Sequence, residues 1–280
     1  MLKDRVQSGV VIGAALLAAA IWMPLGGALV VMLIVAGIAQ WEFYKFLDAS
    51  GIPHFTYVGI LGGSALITAT WLSLRSPHGT PSDSDWLVLF FVVMAVFLRQ
   101  FPQKTNPRPL TTISGTLLGV MYVPFLFNFF TKLLMAWGDT TGRCLVIYLV
   151  AVAKFTDIGA YFVGSAIGKH KLIPRISPAK TWEGCFGGIL TGLAGSVVFY
   201  LIVRRFLTGI TMTWADVFVL GILLSITGIV GDLTESLFKR AAGIKDSGHI
   251  IHGMGGVLDV LDSLLFAAPA LYAYARFFME

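Results

Sequence analysis

Charge is scarce in this sequence. Only 12% of its 280 residues are Asp, Glu, Lys or Arg, while 56% are apolar. An ordinary soluble domain carries about 25% charged residues and needs them to cover its surface. Here they are missing from long stretches, so a soluble globule is excluded and the surface must face lipid. Cysteine is nearly absent as well. Cys144 and Cys185 both sit in apolar runs, which suggests neither a disulfide framework nor a zinc site. Both read as small core residues, because buried thiols are usually inert. No low-complexity tail, linker or internal repeat is visible, so the chain reads as one continuous membrane domain, 1–280. Within it, 1–140 would be N-terminal helices and 141–280 the helices and loops that carry most of the unusual charges. The excess of five positive charges fits basic loops beside anionic lipid, with no nucleic-acid partner.

What the sequence does have is apolar runs long enough to cross a bilayer, which takes roughly 20 helical residues. They lie near 8–24, 25–47, 55–74, 85–101, 110–135, 143–168, 183–206, 212–238 and 256–278. The expectation is an all-α, polytopic integral membrane protein with about nine transmembrane helices. Lys3 and Arg5 before the run Val10 to Ala20 resemble a secretory signal. A second apolar run follows at once after Pro24, so the first is read as a retained helix. With an odd number of spans, thirteen of the 20 Lys and Arg fall on the side of the N-terminus and six on the other, with Lys154 inside a span. Positive residues stay inside, which places the N-terminus and the basic loops in the cytoplasm and the protein in the cell (inner) membrane. The first hundred residues carry few buried charges; the second half carries nearly all of them.

Charges at membrane depth cost about 2.5–3.5 kcal/mol each on insertion scales, so they are normally paired or functional. Three groups stand out. Lys154 and Asp157 share one helical face, and a structural ion pair explains them as well as a site does. Asp232, Glu235, Ser236 and Lys239 make a single stripe. A snorkelling helix end accounts for Lys239 and Arg240, but less well for the acids. Asp259 and Asp262 also share a face, and two such carboxylates repel unless a cation or a proton lies between them. Hard oxygen ligands suit Mg²⁺. The preceding Gly253, Gly255 and Gly256 let backbone approach a ligand closely, although a flexible turn would explain them equally.

Between the sixth and seventh spans lies Gly168-Lys-His-Lys-Leu-Ile-Pro-Arg-Ile-Ser-Pro-Ala-Lys-Thr-Trp-Glu-Gly184. A positive-inside loop accounts for its charges. It does not account for Lys180 and Thr181 at a helix start, where phosphate binds readily. Carboxylates, lysines and hydroxyls gathered at one membrane face are what Mg²⁺-dependent phosphoryl or nucleotidyl transfer requires.

These residues resemble the phosphatidate cytidylyltransferases, or CDP-diacylglycerol synthases, of the bacterial type. The match runs through Ser236-Leu-Phe-Lys-Arg-Ala-Ala-Gly-Ile-Lys-Asp-Ser-Gly-His249, then Gly253, Gly255-Gly256, Asp259 and Asp262. It includes Asp157-Ile-Gly-Ala-Tyr-Phe-Val-Gly164, Gly168-Lys-His-Lys-Leu, and Ser177-Pro-Ala-Lys-Thr-Trp-Glu-Gly184. The sequence departs at His252, Met254 and Val260, where that family usually carries Pro, His and Arg. The resemblance implies a Mg²⁺-dependent transfer of CMP from CTP to phosphatidate, giving CDP-diacylglycerol and pyrophosphate. It implies metal ligands Asp232, Asp259 and Asp262, and catalytic residues Lys239, Asp246 and Asp157. Substrate contacts would come from Ser177, Lys180, Thr181, Ser236, Arg240 and Lys245. The implied cofactor is Mg²⁺, with a second, monovalent cation left open. The implied partners are CTP, phosphatidate and the bilayer, with a homodimer left open. Two rival readings remain: a non-catalytic relative of the family, and a cation-coupled transporter, since paired intramembrane acids also bind transported ions.

Overall fold

The computed structural model describes residues 23–76, 81–244, 247–248 and 255–280. They form eight helices and one hairpin. The helices are α1 (Leu25–Ala49), α2 (Thr56–Arg75), α3 (Pro81–Gln100), α4 (Pro109–Met135), α5 (Asp139–Ile167), α6 (Trp182–Val203), α7 (Trp214–Ala241) and α8 (Val257–Met279). All but α3 are long and apolar enough to span a membrane, seven among the described residues. The all-α polytopic reading therefore holds. The count of nine is not reached: the expected span at 8–24 lies outside the described residues, and α3, which carries Asp83, Asp85 and Arg99, is not among the seven. Between α5 and α6 the expected loop is an antiparallel hairpin of β1 (Lys171–Ile173) and β2 (Ser177–Thr181), with Lys171 opposite Thr181 and Ile173 opposite Ser177.

The chain divides into two compact units. The first comprises residues 1–135 and 241–260, and so holds α1 to α4 with the opening turn of α8. Its core gathers around Tyr44, whose hydroxyl donates to the Thr116 carbonyl at 2.9 Å. A Cβ on Gly59 would lie 1.8 Å from that hydroxyl, and one on Gly119 would lie 2.3 Å from the ring. Glycine at both sites is what lets α2 and α4 close on the tyrosine. α4 widens to a π-helical turn at Met121–Phe125, around Pro124, which has no N–H to give to the regular ladder.

This first unit corrects one expectation. Glu42, Asp85 and Lys132 are all buried in it. Lys132, on α4, forms an ion pair with Asp85 of α3. Thr70 of α2 donates to Asp85 at 2.5 Å, and Asn128 donates to Thr70 at 2.8 Å. Asp85 and Lys132 are paired across two helices, so local spacing gives no sign of the pairing.

The second unit comprises residues 136–240 and 261–280. Here α5 and α6 lie backbone to backbone. A Cβ on Gly159 would reach 1.7 Å from Thr191, one on Gly187 2.4 Å from Val163, and one on Gly188 2.9 Å from the Thr156 carbonyl. Lipid gives helices little hydrophobic reason to associate, so close van der Waals approach and interhelical hydrogen bonds hold them together. Thr156 and Ser225 share such a bond at 2.8 Å. α7 meets α8 in the same way: a Cβ on Gly231 would stand 2.3 Å from the Asp262 carbonyl oxygen. That approach brings the neighbouring Asp232 up beside Asp262.

Candidate active site

The second unit assembles its polar cluster from four elements. α5 supplies Lys154 and Asp157, β2 supplies Lys180, α7 supplies Asp232 and Ser236, and α8 supplies Asp262. Lys154 Nζ lies 3.2 Å from Asp157 Oδ2, the same-face pair expected from their spacing. Lys180 Nζ lies 2.6 Å from Asp232 Oδ2. The angles there do not make a hydrogen bond, so the contact is an ion pair held by charge alone. Ser236 Oγ donates to Asp232 Oδ1 at 3.4 Å. The Asp262 carboxylate accepts the Ser263 N–H and feels the charges of Asp232, Asp157 and Lys154. Asp157 in turn feels Asp232 and Lys180. Three carboxylates and two ammonium groups therefore act on one another. The side chains of Asp157 and Asp232 remain 40% and 33% accessible, so ligands can reach them.

The hairpin and the helix ends frame this cluster. Thr181 is the N-cap of α6, its Oγ1 accepting the Gly184 N–H at 3.1 Å. Its hydroxyl thus starts a helix, as a cap should. Glu183 accepts from the Lys169 N–H at 3.2 Å and bonds the His170 ring at 2.6 Å, tying the start of β1 to α6. Arg240 Nε donates to the Ile176 carbonyl in the hairpin turn at 3.2 Å, and Lys239 pairs with buried Glu235 at 2.8 Å. Ser177 opens β2, half-buried.

Of the residues singled out in the sequence, the second unit thus brings together Asp157, Lys180, Asp232, Ser236 and Asp262. Asp259 belongs to the first unit. There its Oδ2 accepts from Ser247 N at 3.0 Å, Ser247 Oγ at 2.7 Å and Gly256 N at 2.7 Å. Val260 is buried in the same unit. Lys245, Asp246, His252 and Met254 lie outside the described residues. Glu42 passes unmarked in the sequence, where it is a single acid in an aromatic run, yet it is fully buried, accepts the Val257 and Leu258 N–H groups and has Ser247 Oγ 3.3 Å away.

Among the described residues no group of three His, Cys, Asp or Glu side chains closes into an all-protein metal cage. Magnesium does not require one. It takes one or two carboxylates and completes its shell with water and phosphate oxygens. Asp232 and Asp262 are the carboxylates of this cluster that could serve in such a set.

Comparison with known proteins gives the chain relatives over most of its length. Residues 3–278 match the model of the cytidylyltransferase family. A phosphatidate cytidylyltransferase of Chlamydia muridarum is 34% identical over 246 residues, covering 85% of this chain and 79% of that protein. Proteins of the same name from Brucella suis and Bacillus subtilis are 32% and 28% identical, over 100% and 97% of this chain and 95% and 96% of theirs.

Proposed function

The chain belongs to the cytidylyltransferase family, and we propose that it is a phosphatidate cytidylyltransferase of the bacterial cell membrane. The observation that carries this reading is the cluster of Asp157, Asp232 and Asp262 with Lys154 and Lys180, in a chain matched to the family over nearly its whole length. The reaction makes one bond and breaks one. A phosphate oxygen of phosphatidate attacks the α-phosphorus of CTP, and the β- and γ-phosphates leave as pyrophosphate. No covalent enzyme intermediate is needed.

The residues divide the work by charge. Asp232 and Asp262 would hold Mg²⁺, which when bound offsets the negative charge of the triphosphate. Lys180, held to Asp232 only by charge, is placed to turn toward a phosphate oxygen as the nucleotide arrives. Lys154 keeps Asp157 in place and adds a second positive charge to the cluster. Ammonium groups fixed before the reaction stabilise charge that develops on the phosphates without reorganising water. The lipid substrate explains why this chemistry is built among membrane helices.

The test is incubation of the purified protein with phosphatidate, Mg²⁺ and CTP labelled in the α- or the γ-phosphate. The α-label should enter a lipid and the γ-label should appear in pyrophosphate. Unlabelled lipid under these conditions would refute the activity. The bias of basic residues supports an orientation with the N-terminus and the hairpin in the cytoplasm. A cysteine introduced near Lys171 should then react only from the cytoplasmic side, and labelling from outside would invert the topology.

A further inference from the structure

We infer that Glu42 is a positioning residue for this reaction: carried on α1, it caps the start of α8 in place of a side chain that Gly256 does not have. The inference rests on the functional reading above. A helix begins with N–H groups that have no partner within it. The usual remedy is reciprocal. A Ser, Thr, Asp or Asn at the N-cap accepts from the first turn, while an acid three residues on accepts from the N-cap N–H. In α8 the second half of this device is present, since Asp259 Oδ2 accepts the Gly256 N–H at 2.7 Å. The first half is missing, because Gly256 has no side chain.

Glu42 supplies it from another helix of the same unit. Its Oε1 accepts the Val257 N–H at 3.1 Å and its Oε2 the Leu258 N–H at 2.8 Å. Ser247 Oγ adds a contact at 3.3 Å. The carboxylate and Ser247 together occupy the space where an N-cap side chain would begin: a Cβ on Gly256 would stand 2.0 Å from Ser247 Oγ and 2.5 and 2.6 Å from the two Glu42 oxygens. Gly256 is thus glycine because Ser247 and Glu42 are there. A buried acid needs such donors, and the helix dipole favours negative charge at this end.

The consequence for chemistry comes through α8. Its first turn carries Asp259, and Asp262 follows on the same face three residues later. A helix is stiff, so an error at its first turn is passed along it. Misplacement of a reacting constellation by about 1 Å lowers rate by roughly 100-fold. Glu42 touches no substrate; it sets where α8 begins.

The experiment uses full-length protein in lipid nanodiscs, with Glu42→Ala as the variant. Amide hydrogen exchange of the segment 255–260 reads the cap, and the initial rate with labelled CTP, expressed per folded protein, reads the reaction. Glu42→Ala should speed exchange at Val257 and Leu258 about tenfold and lower kcat by roughly 100-fold with little change in KM for CTP. Unchanged exchange in Glu42→Ala, or faster exchange with kcat unchanged, would overturn the inference and leave Glu42 a fold-stabilising acid. If Glu42→Ala does not fold, Glu42→Gln carries the same test: its single acceptor oxygen leaves one N–H unmet, so exchange should rise and kcat fall, and wild-type values would overturn the inference. A wild-type protein without transferase activity would instead refute the functional reading, and the exchange measurement would still decide whether Glu42 is the cap.

Discussion

The Lys180 ammonium and the Asp232 carboxylate lie 2.6 Å apart, one on β2 and the other on α7, with no aligned hydrogen bond between them. The pair is made of two elements that the sequence separates by a whole membrane helix. Both side chains keep part of their surface accessible, 23% and 33%, although the Lys180 ammonium itself is buried.

Replacement of Lys180 therefore separates two roles. As a phosphate partner it supplies a charge-assisted hydrogen bond of about 1.5–3 kcal/mol. Lys180→Ala should accordingly lower kcat/KM for CTP by roughly 10- to 100-fold, with membrane insertion and expression unchanged. Lys180→Arg should keep part of the activity. Near-normal kinetics in the alanine variant would reduce Lys180 to a charge that sets topology.

The carboxylates of the second unit should behave as metal ligands. Asp232→Asn and Asp262→Asn keep the side-chain shape but lose the charge, and each should remove most turnover. Wild-type activity should vanish with a chelator and return with added Mg²⁺. Asp259 offers a sharper comparison, since its Oδ2 is already engaged by Ser247 and Gly256. Asp259→Asn retains an oxygen acceptor for that loop and should lose less than Asp262→Asn. Equal loss would argue that Asp259 also binds the metal, and chelator-insensitive turnover in any of the three variants would sink the assignment.

The Asp85–Lys132 pair should matter for stability rather than for the reaction. Both partners are buried, with Thr70 and Asn128 completing the network. Removing one partner of a buried pair leaves the other uncompensated and costs about 3–5 kcal/mol. Lys132→Met should lower the thermal midpoint markedly, and Asp85→Asn combined with Lys132→Met should regain much of the loss. A double variant less stable than Lys132→Met would mean the pair acts through something other than mutual neutralisation.

The sequence alone determined that this is a helical membrane protein, because runs of apolar residues that no soluble surface could hide are a local property of the chain. It also determined which residues are chemically unusual. A charge in a lipid-facing window is conspicuous wherever it ends up, so Asp157, Asp232 and Asp262 were legible as candidates, and Lys180 was legible from its place at a helix start. Same-face pairs such as Lys154–Asp157 were legible too, since helical spacing brings them together without any tertiary contact.

Only the tertiary structure decided how those residues are grouped. Gly231 lets α7 approach the α8 backbone at Asp262, and a hairpin rather than a loop carries Lys180 to Asp232. It also gave Asp259 and Asp262, three residues apart, different hydrogen-bond partners. Glu42 was invisible for the same reason as the Asp85–Lys132 pair. Its donors are brought to it from residues 247–258, and no periodicity in a sequence records which distant N–H a buried carboxylate will meet. Hydrophobic patterning is written residue by residue, whereas the satisfaction of buried polar groups depends on which backbones can come close, and the glycines that permit this mean little until their neighbours are known.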